Sequence, residues 1–475
     1  MVTRLAASVA ALAVAVLAVA ACGHAGSADS AATVARVSAV GRPAAGGPVV
    51  GARAFGGHGR LAFVSGRRLY VLDGGAAGKS AVLHAVSTGK VPGQATGSPG
   101  SPAWSADGRW LAFLVGEPSA DGAVTSGALW LAGPDGQGAH QVVPKVDGFA
   151  WSPKTDEIAA TSGYGGKLFA VQPGRPIYPM LEVDGLFDGA PAWSPNGREL
   201  AVAIVNVNAK GRLAKSAIDL FVPTEGILVS SLASSRTDAL IIDGWWTNGE
   251  GLLAWSDPKD SASLAAGALP LVSYPLDGKS ATLASTLVGP SFAVPSALYG
   301  VTLVTGGGRS LGIGETIKGC AVSGKCSREL APGPPPLGLG PAPVNLDPAW
   351  APGAFTAQAP VIAFVHGAQE PTAGLSQKGL EAWYRTRILC YNIVTGGNSL
   401  PVTRAGTGVA APTWSANSQD ILYVRDNALW LIPLFTSGGA LSSTAAFPVV
   451  SKLFAGNWPN SNGYTAWQSQ FAWFS

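Results

Sequence analysis

One short segment carries the spacing of a catalytic nucleophile. Residues 308–312 read Gly-Arg-Ser-Leu-Gly, the G-x-S-x-G pattern that holds a serine on a sharp turn in α/β-hydrolases. That chemistry also needs an acid and a histidine after the serine, on a sheet of alternating strands and helices, and His366 is the only histidine that follows. Because the segment lies in a glycine-rich stretch with β character, we interpret the match as coincidental and expect no catalytic serine.

The remaining titratable residues form no metal or acid–base pattern. No two histidines have the spacing of zinc ligands; the five are His24, His58, His84, His140 and His366. Glu182, Asp184 and Asp188 are close in sequence, but we expect them to be solvated residues of a loop between repeats. Glycine motifs that bind phosphate or dinucleotides are absent from the sequence. The sequence therefore predicts that the protein is not an enzyme, has no cofactor and binds no metal.

The first 22 residues have the order of a secretory signal. Arg4 precedes an apolar run at residues 5–18, and the small residues 19–21 precede Cys22. A cysteine at this place resembles the lipobox of bacterial lipoproteins, which implies lipidation of Cys22 after cleavage of a signal peptide at residues 1–22. The apolar run is shorter than the roughly 20 residues of a membrane-spanning helix. An ordinary secreted protein with a chance cysteine is the alternative.

The chain after Cys22 changes in composition near residue 59. Residues 23–58 are mostly Gly, Ala, Ser and Val with few aromatic residues, and such a stretch buries too little apolar surface to offset its ordering entropy. We predict a flexible tether at 23–58 and one folded domain at 59–475. Together with the lipid, this predicts a membrane-anchored protein on the extracytoplasmic face of the cell membrane.

Three cysteines remain for that oxidising compartment. Cys320 and Cys326 are close enough to close a small loop or hairpin, and we predict a disulfide between them. Cys390 is then a buried free thiol on a strand. Because connectivity cannot be deduced from sequence alone, a bridge from Cys390 to either partner is the alternative.

The composition predicts a large β-rich body with no electrostatic partner. Apolar residues make up 47% of the chain, charged residues 12%, and the formal net charge is +3. A nucleic-acid-binding protein would show a clustered basic face, which the sequence lacks, so we expect no nucleic-acid partner. Short apolar segments separated by Gly, Pro, Asn and Asp are typical of an all-β protein.

A repeated pattern sets the expected fold. A small residue, Trp and Ser are followed by a turn, often Asp-Gly or Asn-Gly, and then by two apolar strands. Asp-Gly and Asn-Gly supply the positive φ of a tight hairpin. Six segments open with this pattern or a close variant: residues 102–113, 149–153, 191–198, 244–249, 347–352 and 411–415. The interval from Trp246 to Trp350 is about twice the usual length, and residues 291–295 (Ser-Phe-Ala-Val-Pro) fit a further opener without Trp.

These repeats resemble the TolB-type, WD40-like β-propeller repeat. The resemblance implies a β-propeller, with eight blades by our count, or seven if residues 291–346 merge with a neighbouring blade. Residues 59–74 supply strands without a preceding Trp strand, and residues 470–475 supply a Trp strand with nothing after it. We therefore predict that the C-terminal strand completes the N-terminal blade. Similar propellers in actinobacterial lipoproteins imply a Gram-positive cell.

The expected function is binding by the rim loops or the central channel. Loops carry recognition while strands carry packing, and the longest candidates are residues 116–127, 206–215, 258–267 and 367–383. The last contains Glu370, Lys378, Glu381 and Trp383. We expect a scaffold that binds a protein or a cell-envelope polymer, through residues that the sequence does not identify. The alternative is a small-ligand sensor or carbohydrate-active enzyme, which acidic residues converging on the channel would favour over an apolar, aromatic patch.

Overall fold

The structure, a computed structural model, describes the chain from residue 47 to 475 with gaps. The gaps are 89–96, 120–121, 163–165, 259–267, 297–299, 307–315, 328–342, 354–359, 370–375, 394–398, 405, 438–439 and 454–464. Cys22, the Gly-Arg-Ser-Leu-Gly segment, Glu370 and nearly all of the loop 258–267 lie outside the described residues.

The described residues form eight antiparallel sheets, which are the eight blades predicted from the repeats. In most blades, strands that follow one another in sequence pair from the inner edge of the ring to its rim; blade 1 has the C-terminal strand at its inner edge, and blades 4 and 8 each have one further strand off this path. Blade 1 contains β1 (Arg60–Ser65), β2 (Arg68–Asp73), β3 (Val82–Ala85) and β33 (Phe471–Phe474); blade 2 contains β4 (Ser98–Trp104), β5 (Leu111–Gly116), β6 (Gly127–Ala132) and β7 (His140–Val146); blade 3 contains β8 (Gly148–Trp151), β9 (Ile158–Ser162), β10 (Lys167–Val171) and β11 (Tyr178–Glu182). Blade 4 contains β12 (Leu186–Phe187), β13 (Ala192–Trp193), β14 (Leu200–Val207), β15 (Leu213–Val222) and β16 (Ile227–Ser235).

The second half of the ring adds one helix to the same plan. Blade 5 contains β17 (Asp238–Trp245), β18 (Gly251–Pro258), β19 (Leu269–Pro275) and β20 (Ala281–Thr286); blade 6 contains β21 (Ala293–Pro295), β22 (Val301–Gly306) and β23 (Thr316–Ala321) among its described residues. Blade 7 contains β24 (Val344–Trp350), β25 (Val361–Gly367), β26 (Ile388–Ile393) and β27 (Leu400–Pro401), with α2 (Gln377–Arg385) between β25 and β26. Blade 8 contains β28 (Val409–Trp414), β29 (Asp420–Arg425), β30 (Ala428–Ser437), β31 (Ala440–Ser443) and β32 (Phe447–Val450).

The ring closes as the sequence predicts. β33 pairs with β1, with Trp473 opposite Leu61 and Phe471 opposite Phe63, so the C-terminal strand is the inner strand of the N-terminal blade. Trp473 itself is partly exposed and not fully buried as expected, although it packs against the largest core cluster.

The repeated Trp joins neighbouring blades by a hydrogen bond. In the described part of the chain, six of these indoles donate from Nε1 to a backbone carbonyl of the preceding blade's inner strand, at 2.9–3.1 Å. Their acceptors lie at the residue before the previous Trp, or at its equivalent in blade 6. The donors are Trp104, Trp151, Trp193, Trp245, Trp350 and Trp414. One side chain therefore fills the space between two sheets and satisfies a carbonyl at the seam.

The serine after the Trp holds the turn that follows. Ser105 is 1% exposed; its Oγ donates to Asp107 Oδ1 at 2.8 Å and accepts from the backbone N–H of Trp110 at 3.0 Å. Gly108 completes the turn with φ +69°, and its Cα hydrogens face the ring of Phe474 in blade 1. A side chain at Gly108 would therefore strain the backbone and collide with the neighbouring blade.

Blades 5 and 6 depart from the pattern in informative ways. The sequence placed the blade 5 marker at Trp246, but Trp245 occupies the repeated position, because Trp245 pairs with Leu252 and donates to Ala192. Trp246 is also buried, and its indole donates instead to Ser273 Oγ at 3.2 Å.

In blade 6, Pro295 stands where the other blades have Trp, and the preceding Val294 accepts the bond from Trp350. The opener predicted at residues 291–295 is therefore part of a separate blade.

The N-terminal segment at 47–58 lies against the ring, although its composition predicted a tether. Its helix α1 (Ala52–Phe55) buries Phe55 completely in the largest core cluster. Val50 bridges to Val450 of blade 8, and the carbonyl of His58 accepts from Trp473 Nε1 at 2.8 Å. His58 Nδ1 lies 3.1 Å from Asp420 Oδ2. The segment thus connects blades 8 and 1 at the seam where the chain closes.

The described cysteines lie in blades 6 and 7. Cys320 and Cys326 are disulfide-bonded across a short hairpin. Cys390 has no disulfide and is buried on β26, and burial raises the pKa of its thiol. None of the helices within the described ranges is both long and apolar enough to span a membrane.

Candidate functional site: a groove on the inner strands

Two open cavities meet at the inner edge of the ring. The first, of about 360 Å³, is lined by Pro290, Ser291, Val294 and Pro295 of blade 6, residues 347–350 and Pro352 of blade 7, residues 411–414 of blade 8, and Gln468. The second, also about 360 Å³, is lined by Ser101, Ala123 and Thr125 of blade 2, by residues 288–290, and by Ala466, Gln468 and Ser469. Since Pro290 and Gln468 border both cavities, we treat them as one groove, the mouth groove.

The first cavity has an apolar lining with few hydrogen-bonding side chains. Five prolines contribute to it together with Trp350 and Trp414, whose indole N–H groups already donate across blade seams. The prolines are Pro290, Pro295, Pro348, Pro352 and Pro412. Polar side chains are limited to Ser291, Asp347, Thr413 and Gln468. Such a lining suits an apolar ligand held by a small number of polar contacts.

Irregular backbone shapes this groove. The inner strands of blades 2, 7 and 8 each shift register at the same place, three residues before the Trp. Ser101, Asp347 and Ala411 lie there with φ of +49°, +47° and +47°, a conformation that is unfavourable for residues other than glycine. Asp347 Oδ2 accepts from the backbone N–H of Ala411 at 3.0 Å, so the irregular position of blade 7 supports that of blade 8. Strained, reinforced positions of this kind cluster at ligand sites.

A small polar cavity adjoins the mouth groove. It measures about 10 Å³ and is bounded by Ser291, Asp347, Tyr384, Arg387, Thr465, Trp467 and Gln468. Three of these, Ser291, Asp347 and Gln468, also line the first large cavity. Burial raises the pKa of Asp347, while the Ala411 N–H and the Arg387 charge oppose this effect.

The carboxylates that the sequence grouped together are not together. Glu182 and Asp184 are exposed, and Glu182 lies 3.9 Å from Lys167 Nζ. Asp188 is instead brought near carboxylates of the neighbouring blades: burial raises its pKa, and the charges of Asp257 and Asp147 raise it further. Across the described ranges, no group of three or more His, Cys, Asp or Glu residues is placed to hold a metal ion.

Two of the predicted loops contribute to the groove region. Ala123 and Thr125 of the loop 116–127 line the second cavity. The loop 367–383 runs into α2, where Trp383 is 4% exposed and donates to Ala368, so its aromatic end packs inward beside Arg387. The loop 206–215 extends the hairpin of β14 and β15. Sequence reasoning missed Asp347 and Arg387 as site residues. Asp347 begins a repeat opener that was interpreted as structural, and its one signal was a charge in an apolar strand opener. No motif surrounds Arg387.

Comparison with known proteins relates the fold to solved structures and not to a sequence family. No family model matches the chain, and no curated protein is similar to it in sequence. A prolyl endopeptidase structure has 10% identity and a TM-score of 0.44 over 75% of this chain and 50% of that one. Puromycin hydrolase has 15% identity and a TM-score of 0.41 over 80% of this chain and 60% of that one. A putative TolB from Agrobacterium tumefaciens has 12% identity and a TM-score of 0.31 over 82% of this chain and 98% of that one.

The likeness is one of fold. The chain spans about half the length of the prolyl endopeptidase that it matches. The expectation that the protein is not an enzyme is corrected by these comparisons, since the structures that the chain is similar to include two peptidases and a hydrolase, at 9–15% identity.

Proposed function

We propose that the protein is a lipid-anchored, extracytoplasmic propeller that binds an extended segment of a partner protein in the mouth groove. The observation that carries the proposal is the pair of joined cavities on the inner strands of blades 6, 7 and 8 and beside blade 2. A compact ligand would fill one cavity, whereas an extended chain fills both. Anchoring through Cys22 would hold the groove close to the membrane surface.

The lining favours a polypeptide over a polysaccharide. Proline and tryptophan surfaces suit extended apolar peptide segments, whereas a sugar chain needs many hydrogen-bonding groups. The first cavity offers four polar side chains against five prolines and two tryptophans. A cell-envelope polymer is therefore the less favoured occupant.

Site-specific crosslinking tests the proposal. A photoreactive amino acid at Thr413 in the first cavity, or at Thr125 in the second, should capture the same protein from intact envelopes. Thr282, an exposed threonine on the outer strand of blade 5, provides the matched control position. Capture should fall at least tenfold when Thr413→Trp fills the first cavity and remain unchanged with Thr282→Trp.

Two results would reject the proposal. Equal capture from all three positions would mean that the groove has no special role. A crosslinked product that resists protease and is degraded by glycan hydrolases would identify a polymer as the occupant.

A second candidate function rests on the acidic residues. Asp147, Asp188 and Asp257 come from blades 3, 4 and 5, and the charges of Asp147 and Asp257 raise the pKa of Asp188 beyond the effect of its burial. This arrangement suits a small cationic ligand at that part of the ring. Asp188→Asn should abolish binding of such a ligand while leaving capture through Thr413 intact.

A further inference from the structure

We infer that Arg387 forms a carboxylate-binding subsite at the end of the mouth groove. This inference rests on the proposed function, because the carboxylate belongs to the segment bound in that groove. It adds the chemical class of the group that the groove recognises.

Arg387 is a buried cation held by aromatic rings. It precedes β26, and its residue is 2% exposed. Its guanidinium carbon lies 3.7 Å from the ring centroid of Tyr384 and 4.4 Å from that of Trp383, both supplied by α2. Stacking on two rings fixes the plane of the guanidinium and leaves its edges for hydrogen bonding.

One edge of this guanidinium has donors without acceptors. Nε and Nη2 are buried and have no hydrogen-bond partner. Over the described ranges, no carboxylate oxygen lies within 4.0 Å of the Arg387 nitrogens. A buried charge without a partner is costly, and Nε–H with Nη2–H forms the parallel fork that matches the two oxygens of a carboxylate.

The unpaired donors lie beside the groove. Arg387 borders the small polar cavity, which shares Ser291, Asp347 and Gln468 with the first large cavity. Ser291 is 5% exposed, and its Oγ also has no hydrogen-bond partner. The small cavity, about 10 Å³ in volume, has room for about one oxygen atom, so the second carboxylate oxygen would lie at its opening near Ser291.

Among the described residues, the one acid that lines this small cavity is Asp347, and it makes no ion pair with Arg387. Asp347 directs Oδ2 to the backbone N–H of Ala411. Burial raises the pKa of Asp347, and the Arg387 charge opposes this effect, so Asp347 would repel a ligand carboxylate less than an exposed aspartate would. The shared chemistry is a carboxylate, from a chain terminus or from an acidic side chain.

Three probe peptides test the subsite on the purified full chain. The first is acetyl-Ala-Pro-Ala with a free carboxylate, the second is the same peptide as its amide, and the third is acetyl-Ala-Pro-Glu as its amide. Charge-assisted hydrogen bonds correspond to about a tenfold or larger change in affinity. We expect the first or third peptide to bind at least about tenfold more tightly than the second, and the tighter of the two identifies the source of the carboxylate.

Variants separate the subsite from the groove. Arg387→Gln should remove the advantage of the carboxylate peptide, and the exposed Arg198→Gln should preserve it. If Arg387→Gln fails to fold, Ser291→Ala provides the second variant and should reduce the advantage severalfold.

The outcomes are distinct. Equal affinity for all three peptides, lost with Thr413→Trp, would overturn the subsite and leave the groove intact, with a buried water as the occupant beside Arg387. No binding of any peptide would overturn the proposed groove itself.

Discussion

Asp243 gives the clearest prediction at the scale of single residues. It lies on β17, the inner strand of blade 5, and burial raises its pKa to about 8. The folded protein therefore holds this proton at pH values where the unfolded chain has released it. The contribution of Asp243 to the free energy of unfolding is therefore fully present below about pH 4 and is lost as the pH rises towards 8.

The matching experiment compares Asp243→Asn with the parent protein. The parent's free energy of unfolding, measured in urea, should decrease between pH 5 and pH 8. The variant should show a much smaller decrease, because its amide does not ionise. Asp184→Asn, at an exposed carboxyl, is the control and should keep the parent's slope. Identical slopes for all three proteins would show that Asp243 is not the titrating group.

Cys22 carries the prediction about the anchor. Cys22→Ala removes the thiol that would take the lipid, so the protein should appear in the culture medium or remain as an unprocessed precursor. Phase partitioning into detergent measures the outcome. A correctly cleaved Cys22→Ala protein that still enters the detergent phase would refute the lipoprotein hypothesis.

At the scale of elements, the repeated Trp predicts how blades hold together. Trp104→Phe retains most of the packing but removes the bond to the Ala472 carbonyl, which should cost about 1 kcal/mol. Hydrogen exchange in β33 should increase, because this carbonyl belongs to β33. Trp246→Phe, which loses a bond inside blade 5, should leave β33 unchanged; an equal rise in both variants would count against a role at the seam.

Repeated elements could be predicted from sequence because each blade reuses the same local chemistry. The Trp, the Ser and the Asp-Gly turn at residues 104–108 make contacts within a few residues or with the adjacent blade, and so they leave a visible pattern. The pattern could not show which of Trp245 and Trp246 is the repeated Trp, because only pairing with Leu252 determines which ring faces blade 4.

The mouth groove was not predictable from the sequence either, since its walls come from residues far apart in sequence, such as Ser291, Arg387 and Gln468.

The segment 47–58 shows a second limit of composition. A Gly- and Ala-rich stretch predicts disorder when it is judged alone. In the structure, however, Phe55 is completely buried among apolar side chains, some of which are about 400 residues away in sequence. Its docking depends on a surface that exists only after blades 8 and 1 meet. The composition of the segment therefore cannot predict that it packs against the ring.

At the scale of the whole molecule, closure predicts a strong dependence on the last strand. Removing residues 471–475 takes β33 from blade 1 and leaves one edge of β1 unpaired. Because domain stability is about 5–15 kcal/mol, this loss should abolish cooperative folding or lower the melting temperature by many degrees. Trp473→Ala should cost about 3 kcal/mol, the lower end for large aromatic side chains, since Trp473 is partly exposed.

Removing Ser475 alone is the control for that truncation. Its hydroxyl accepts from the backbone N–H of Ala416 at 2.7 Å, a contact outside the β1–β33 pairing. The shorter deletion should change the melting temperature only slightly. Calorimetry distinguishes these results, and a protein without residues 471–475 that melts like its parent would exclude β33 from the ring.

The pairing of β1 with β33 also imposes an order in time. β33 is synthesised after every other strand of the ring, so blade 1 begins first and is completed last. During synthesis, β1 presents an uncovered edge until β33 has left the ribosome, and exposed strand edges promote aggregation. We therefore expect a chain that is stalled before residue 471 to aggregate or to be degraded by proteases more readily than the full-length chain.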